Sequence, residues 1–164
     1  MTTYEKPLPR VGKLSRPFWD GLRAHRICTQ RCLSCGRRSH PPVPVCTACH
    51  GVKFQWVEIA GGGTIWSFVI FHQIYAPAFA ADKPYNVLIV ELTEGIRLYS
   101  SSPKTDQPYL SVGAAVTPIF TKITNDITLL NYRLVDAHEA KEARSSGGHE
   151  STLHTSDRAA RPEN

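Results

Sequence analysis

Two cysteine pairs, Cys32-Leu-Ser-Cys35 and Cys46-Thr-Ala-Cys49, stand ten residues apart in a 164-residue chain. A two-residue spacer lets both thiolates of a pair reach one ion about 2.3 Å away, and glycine soon after each pair (Gly36, Gly51) suits the tight backbone turn. Four soft thiolates select zinc, with a rubredoxin-like iron site or a redox dithiol as the rivals. A closed set of four ligands has no open position for substrate, so the metal is structural and not catalytic. The few apolar residues of the segment (Leu33, Val43, Val45, Ala48, Val52) cannot offset the entropy of ordering it, so without metal it should not fold. His40 and His50 are read as surface residues. Cys28, in a first ribbon strand, is read as a buried apolar residue or a bystander.

Nucleophilic or acid–base chemistry is hard to place. No Gly-x-Ser-x-Gly elbow occurs, carboxylates are not paired at catalytic spacing, and His72 is the lone histidine of the strand-rich region. Gly61-Gly62-Gly63 lies between strands and does not precede a helix, so it reads as a bend or bulge and not as a phosphate cradle.

The elements that must hold the knuckles follow from periodicity. Residues 1–13 are polar and carry two prolines, as an extended arm would. SRPFWDGLRAHRI starts with Ser15 as N-cap and Pro17 in the first turn, and it sets Phe18, Trp19 and Leu22 at helical spacing. Two large aromatics on so short a helix must dock on the domain, on a partner, or on both. After the cysteines, β patterning predicts strands over 54–60, 64–71, 85–92, 96–101, 114–123 and 127–135, with a longer loop from His72 to Pro84 carrying Tyr75 and Phe79. Five or six strands without an intervening helical period predict a small antiparallel barrel of the OB or SH3-like kind. Past Val135 almost no large apolar residue remains, and residues 138–164 are expected to be disordered. The reading divides the chain into an arm and helix (1–30), a zinc ribbon (31–52), a barrel (53–137) and a tail (138–164).

A hydrophobic content of 41% supports one modest core and excludes a large multidomain enzyme. No apolar run is long enough for a membrane span or signal peptide, and with the cysteine usage this predicts a cytoplasmic protein. Net charge is +5, but residues 1–53 hold ten Lys or Arg against Glu5 and Asp20, so the remainder is slightly acidic. The basic end suits phosphates, carboxylates or an acidic protein face, or is simply a solvated surface.

The order of these parts resembles the DUF35 family, zinc-ribbon and OB-fold proteins associated with acyl-CoA metabolism. RPFWDGL (16–22), QRCLSCGRRSHPPVPVCTAC (30–49), GGGTIWSF (61–68), KPYNVLIVELTEGIRL (83–98) and SVGAAVTPIF (111–120) carry the resemblance. It implies a mainly β fold: short helix, rubredoxin-like ribbon, then a five- to six-stranded OB barrel. It also implies an accessory subunit of a thiolase-fold enzyme that forms or cleaves C–C bonds of acyl-CoA compounds in lipid, steroid or polyketide metabolism. The large subunit would hold the catalytic residues, in a heterotetramer of two large and two small subunits. CoA or acyl-CoA would then lie at the interface, with Arg31, Arg37, Arg38, Phe18, Trp19, Tyr75 and Phe79 as candidate contacts to CoA or to the partner. The alternative is a zinc-ribbon and OB-fold nucleic-acid-binding module, against which stands the slightly acidic barrel. A third reading is an independent catalyst using His72 or Cys28.

Overall fold

The structure, a computed structural model, describes residues 4–135. One α-helix and eight strands follow in order: α1 (Arg16–Arg23), β1 (Ile27–Cys32), β2 (Arg38–Ser39), β3 (Phe54–Ile59), β4 (Gly63–Phe71), β5 (Tyr85–Leu92), β6 (Arg97–Ser100), β7 (Ala115–Lys122) and β8 (Thr128–Leu134), with short 3-10 helices at Pro77–Asp82 and Gln107–Tyr109. They form two antiparallel sheets, β2-β1-β3 and β6-β5-β4-β7-β8. Among the described residues no helix is long and apolar enough to cross a membrane. The expected tail (138–164) and the first residues of the arm lie outside the described residues.

The second sheet curls into a nearly closed five-stranded OB barrel. Alternation in β5 sends Asn86, Leu88, Val90 and Leu92 inward, where the last three pack with Ile65, Leu98, Val116, Tyr132 and Leu134. Its two outer strands meet through single bonds and not through a ladder: the Ser100 hydroxyl donates to the Leu130 carbonyl (2.9 Å), and the Tyr132 N–H to the Ser101 carbonyl (3.0 Å). Asn131 Nδ2 adds a bond to Ser101 Oγ (2.6 Å). A bulge between Ile65 and Ser67 turns Trp66 outward, where the Arg97 guanidinium covers its ring at 3.5 Å.

One strand is placed differently from the sequence reading. Residues 54–60 were expected in the barrel, but β3 pairs along its whole length with β1, from Ile27↔Ile59 to Cys32↔Phe54. The strand period fixes which residues share a face and says nothing of the partner strand. The ribbon sheet therefore reaches from the cysteines to the start of the glycine run.

The glycine run joins the two sheets, and its geometry explains the residue type. Gly61 is left-handed (φ +71°), donates its N–H to Glu94 Oε1 (3.2 Å) and accepts the Tyr132 hydroxyl on its carbonyl (2.9 Å). Helix α1 closes the junction from the other side. Phe18, Leu22 and Ile27 are buried together against Trp56, Ile59, Phe120 and Leu130, a cluster drawn from helix, ribbon and barrel. Ile59 and Leu130 also pack on the barrel core. Ser15 precedes the helix but does not cap it with its side chain; its hydroxyl accepts the Gly12 N–H instead, at 3.1 Å.

Tyr132→Phe tests the junction. The hydroxyl is buried, and its loss leaves the Gly61 carbonyl without that donor, which should cost about 1–3 kcal/mol in a urea titration. Burial, followed by the negative charge of Glu94, raises the Tyr132 pKa above its usual value. A raised pKa means that the stabilisation is fully present below the unfolded value and falls as pH climbs past about 10. The phenylalanine variant should lack that alkaline loss.

Candidate metal centre and the neighbouring cleft

Both knuckles are built by the same backbone bonds. Gly36 N–H donates to the Cys32 carbonyl (3.0 Å) and His50 N–H to the Cys46 carbonyl (2.9 Å). Across each turn, Cys32 N–H reaches the Arg37 carbonyl (2.9 Å) and Cys46 N–H the Gly51 carbonyl (2.8 Å). The left-handed residue after the second cysteine is Gly36 in one turn (φ +76°) and His50 in the other (φ +58°). The sequence reading gave that conformational part in the second knuckle to Gly51, which is needed for a different reason. A Cβ there would stand 2.9 Å from Ser34 Oγ and 3.4 Å from the Cys32 and Cys49 sulfurs.

The four sulfurs face a common centre. All lie within 4.8 Å of one another, with Cys32–Cys49 and Cys35–Cys46 both at 3.6 Å. Tetrahedral zinc with bonds of about 2.3 Å places its sulfurs about 3.8 Å apart, so the donor set fits. Electrostatics agree. Backbone N–H groups of Ala48 and Cys49 hold the Cys46 thiol down to about 6, and those of Cys35 and Ser34 lower Cys32. At Cys49 the Gly51 N–H acts the same way, but the crowded Cys35 and Cys32 sulfurs outweigh it and push the group up to about 12. A divalent cation among them relieves that crowding. Cys28 stands apart: it packs under α1 against Gly21, and burial raises its pKa.

Beside the ribbon lies a cleft of about 1010 Å³, bounded by the arm, α1, residues 40–42 and the β5–β6 and β8 side of the barrel. Of the sequence candidates it gathers Phe18, Trp19 and Phe79. Phe18 is buried and meets Trp19 edge-on at 5.3 Å, so the helix aromatics are partly spent on the chain itself. His40, expected at the surface, packs 4.7 Å from the Phe18 ring, and burial lowers its pKa. Tyr75 is 70% exposed and does not line the cleft, yet it connects to it through rings: Tyr75–Phe71 (5.8 Å), Phe71–Tyr85 (5.0 Å) and Phe79–Tyr85 (5.5 Å). Arg31, Arg37 and Arg38 are not among its lining residues; Arg31 and Arg37 are exposed and Arg38 is half-buried, its Nε without a partner.

Sequence reasoning missed the other half of the cleft. Tyr4, Lys6 and Arg10 of the arm line it, with Tyr99 and Lys104 opposite. Lys6 forms an ion pair with Asp82 and sits 5.6 Å from the Phe79 ring. Among the described residues Asp82 is the one carboxylate in the lining, against the cations Lys6, Arg10, Arg97 and Lys104. No local pattern marks these residues, because six separate segments converge on the cleft. His72 does not line this cleft; it lines a shallow hollow with Ile70, Pro84 and Lys104, of which Lys104 is shared with the cleft.

Comparison with known proteins covers both parts. A family model described as "ChsH2, rubredoxin-like zinc ribbon domain" matches residues 19–54, and one described as "ChsH2, C-terminal OB-fold domain" matches residues 56–121. A probable enoyl-CoA hydratase alpha subunit from Thermomonospora curvata is 30% identical over 78% of this chain and 40% of its own length. The chain thus spans well under half of that relative. A DUF35 domain-containing scaffold protein from Methanocaldococcus jannaschii is 26% identical over 58% of this chain and 68% of its own. The solved structure of an Ltp2-ChsH2(DUF35) aldolase contains a chain 30% identical to this one, with a TM-score of 0.70, covering 77% of this chain and 98% of that one.

Proposed function

This chain belongs to the DUF35 family, and from that premise we propose that it is the accessory subunit of a thiolase-fold enzyme that forms or cleaves C–C bonds of acyl-CoA compounds. The observation that carries the reading is the likeness to the DUF35 chain of the aldolase, which extends over 98% of that chain. The scaffold protein of Methanocaldococcus jannaschii supports a supporting role for the fold. In this reading the large subunit supplies the catalytic residues, two copies of each subunit assemble, and the complex is cytoplasmic.

Cys32, Cys35, Cys46 and Cys49 hold one structural zinc, which brings the knuckles together and supplies no open coordination position. The cleft supplies the path for substrate. Its apolar floor of Phe18, Trp19 and Phe79 suits an acyl or pantetheine chain, and Arg10 and Lys104 suit the phosphates of CoA. The carboxylate-poor lining keeps such an anion from being repelled.

Co-expression with a thiolase-fold protein encoded beside it should give a stable complex of two large and two small subunits by light scattering after size exclusion. The isolated chain should turn over no acyl-CoA. Absence of any complex, or full activity of the isolated chain, would remove this reading. Within the complex, Phe79→Ala should raise KM for acyl-CoA by about tenfold, as expected for an aromatic wall worth 1–2 kcal/mol.

A further inference from the structure

We propose that the tip of the zinc ribbon is itself a docking knob, whose exposed Leu33, Val45 and Val52 seat in a carboxylate-rimmed apolar hollow on the partner subunit. The inference rests on the accessory-subunit reading and names the surface that reading leaves open. Leu33 is 56% exposed, Val45 43% and Val52 68%. Backbone bonds bring their segments together: Leu33 N–H bonds the Lys53 carbonyl (3.0 Å), next to Val52, and Cys46 N–H, next to Val45, bonds the Gly51 carbonyl (2.8 Å). Neighbouring aliphatic residues left in water on a metal-braced ribbon are of the kind that a partner surface covers.

Charge identifies the occupant. Residues 30–53 contain Arg31, Arg37, Arg38 and Lys53 and no carboxylate. Among the described residues none of these four takes part in an ion pair. With zinc bound, the four thiolates leave a net negative centre of −2, smaller than the four cations around it, so the tip stays positive. A nucleic acid would also meet cations, but it would need stacking surfaces, and residues 30–53 contain no Phe, Tyr or Trp. An aliphatic tip on a segment that carries four cations and no carboxylate fits a protein hollow edged with Asp and Glu.

The test uses the reconstituted complex and two variants, Leu33→Asp and Val52→Asp, each first checked for one zinc per chain and a wild-type circular dichroism spectrum. Either should weaken association with the thiolase-fold subunit by at least about 30-fold. Arg31→Glu with Lys53→Glu should slow association by about tenfold at low salt, with the difference shrinking as salt rises. Zinc should also pass to a chelating dye more slowly from the complex than from the free chain, since docking covers Cys35 and Cys49. Variants that bind within threefold of wild type, with equal zinc release, would overturn the docking knob while the subunit reading stands. A wild type that forms no complex removes both. Binding of a labelled single-stranded 20-mer that these same substitutions abolish would overturn the choice of a protein partner.

Discussion

Cys32→Ser is expected to bind less than one zinc per chain and to lose the packed junction between ribbon and barrel, the largest effect of any single change in the molecule. Cys32 ends β1 and is 1% exposed. The same strand pairs with β2 on one edge and with β3 on the other, and Ile27 at its start is buried against α1. Structural zinc is worth an apparent 10–16 kcal/mol or so, comparable with the whole stability of an ordinary domain. Losing a thiolate therefore removes more than a local turn. Metal analysis with Trp fluorescence checks it, since Trp19 and Trp56 both lie at the junction. Chelation of the wild type should reproduce the spectrum of the variant. Unchanged fluorescence after complete zinc removal would refute the clip and leave the metal as a local brace of the two knuckles.

Gly63→Ala should be the second largest. A Cβ at Gly63 would stand 2.1 Å from the Glu91 carbonyl oxygen and 2.9 Å from the Leu92 Cα, all backbone of β5. Backbone cannot rotate away as a side chain would, so β4 and β5 must part where their pairing begins, at Gly63↔Leu92. A cost of about 3 kcal/mol or more is expected, with a matching fall in the urea midpoint. Gly62→Ala is the control. Its Cβ would meet nothing closer than the Val116 oxygen at 4.0 Å, and it should be nearly neutral. If the two variants behave alike, the strand contact is not the cause.

The contrast between these two glycines shows how far a sequence can be read. The run Gly61-Gly62-Gly63 announces a bend, but three different facts lie behind it: a left-handed residue, a permissive position and a strand that passes too close for any side chain. Only the first is a local property, of the kind that residue type reports. The same limit explains β3. Its alternation identified a strand over 54–60, yet pairing with β1 depends on which edge is free after the knuckles close. The cysteine spacing was legible because one ion must be reached by both pairs, a constraint that acts over a few residues. The cleft was only half legible: Phe18, Trp19 and Phe79 stand out by size, whereas Lys6, Arg10 and Lys104 are ordinary surface residues until the arm lies across the barrel. His50 was illegible for a related reason, since non-glycine residues seldom adopt its conformation and nothing in its type announces it.

Ile59 and Leu130 belong to both apolar clusters, one at the junction and one inside the barrel. A protein wired this way resists modular exchange. A ribbon transplanted from a relative would bring its own β3 and helix but would meet foreign residues at positions 120 and 130, so recombination should succeed only when crossovers carry the β7–β8 hairpin along with the cysteines. Lineages that trade one half without the other would be expected to show paired replacements at those positions, which turns a packing detail into a constraint on how such chains diversify.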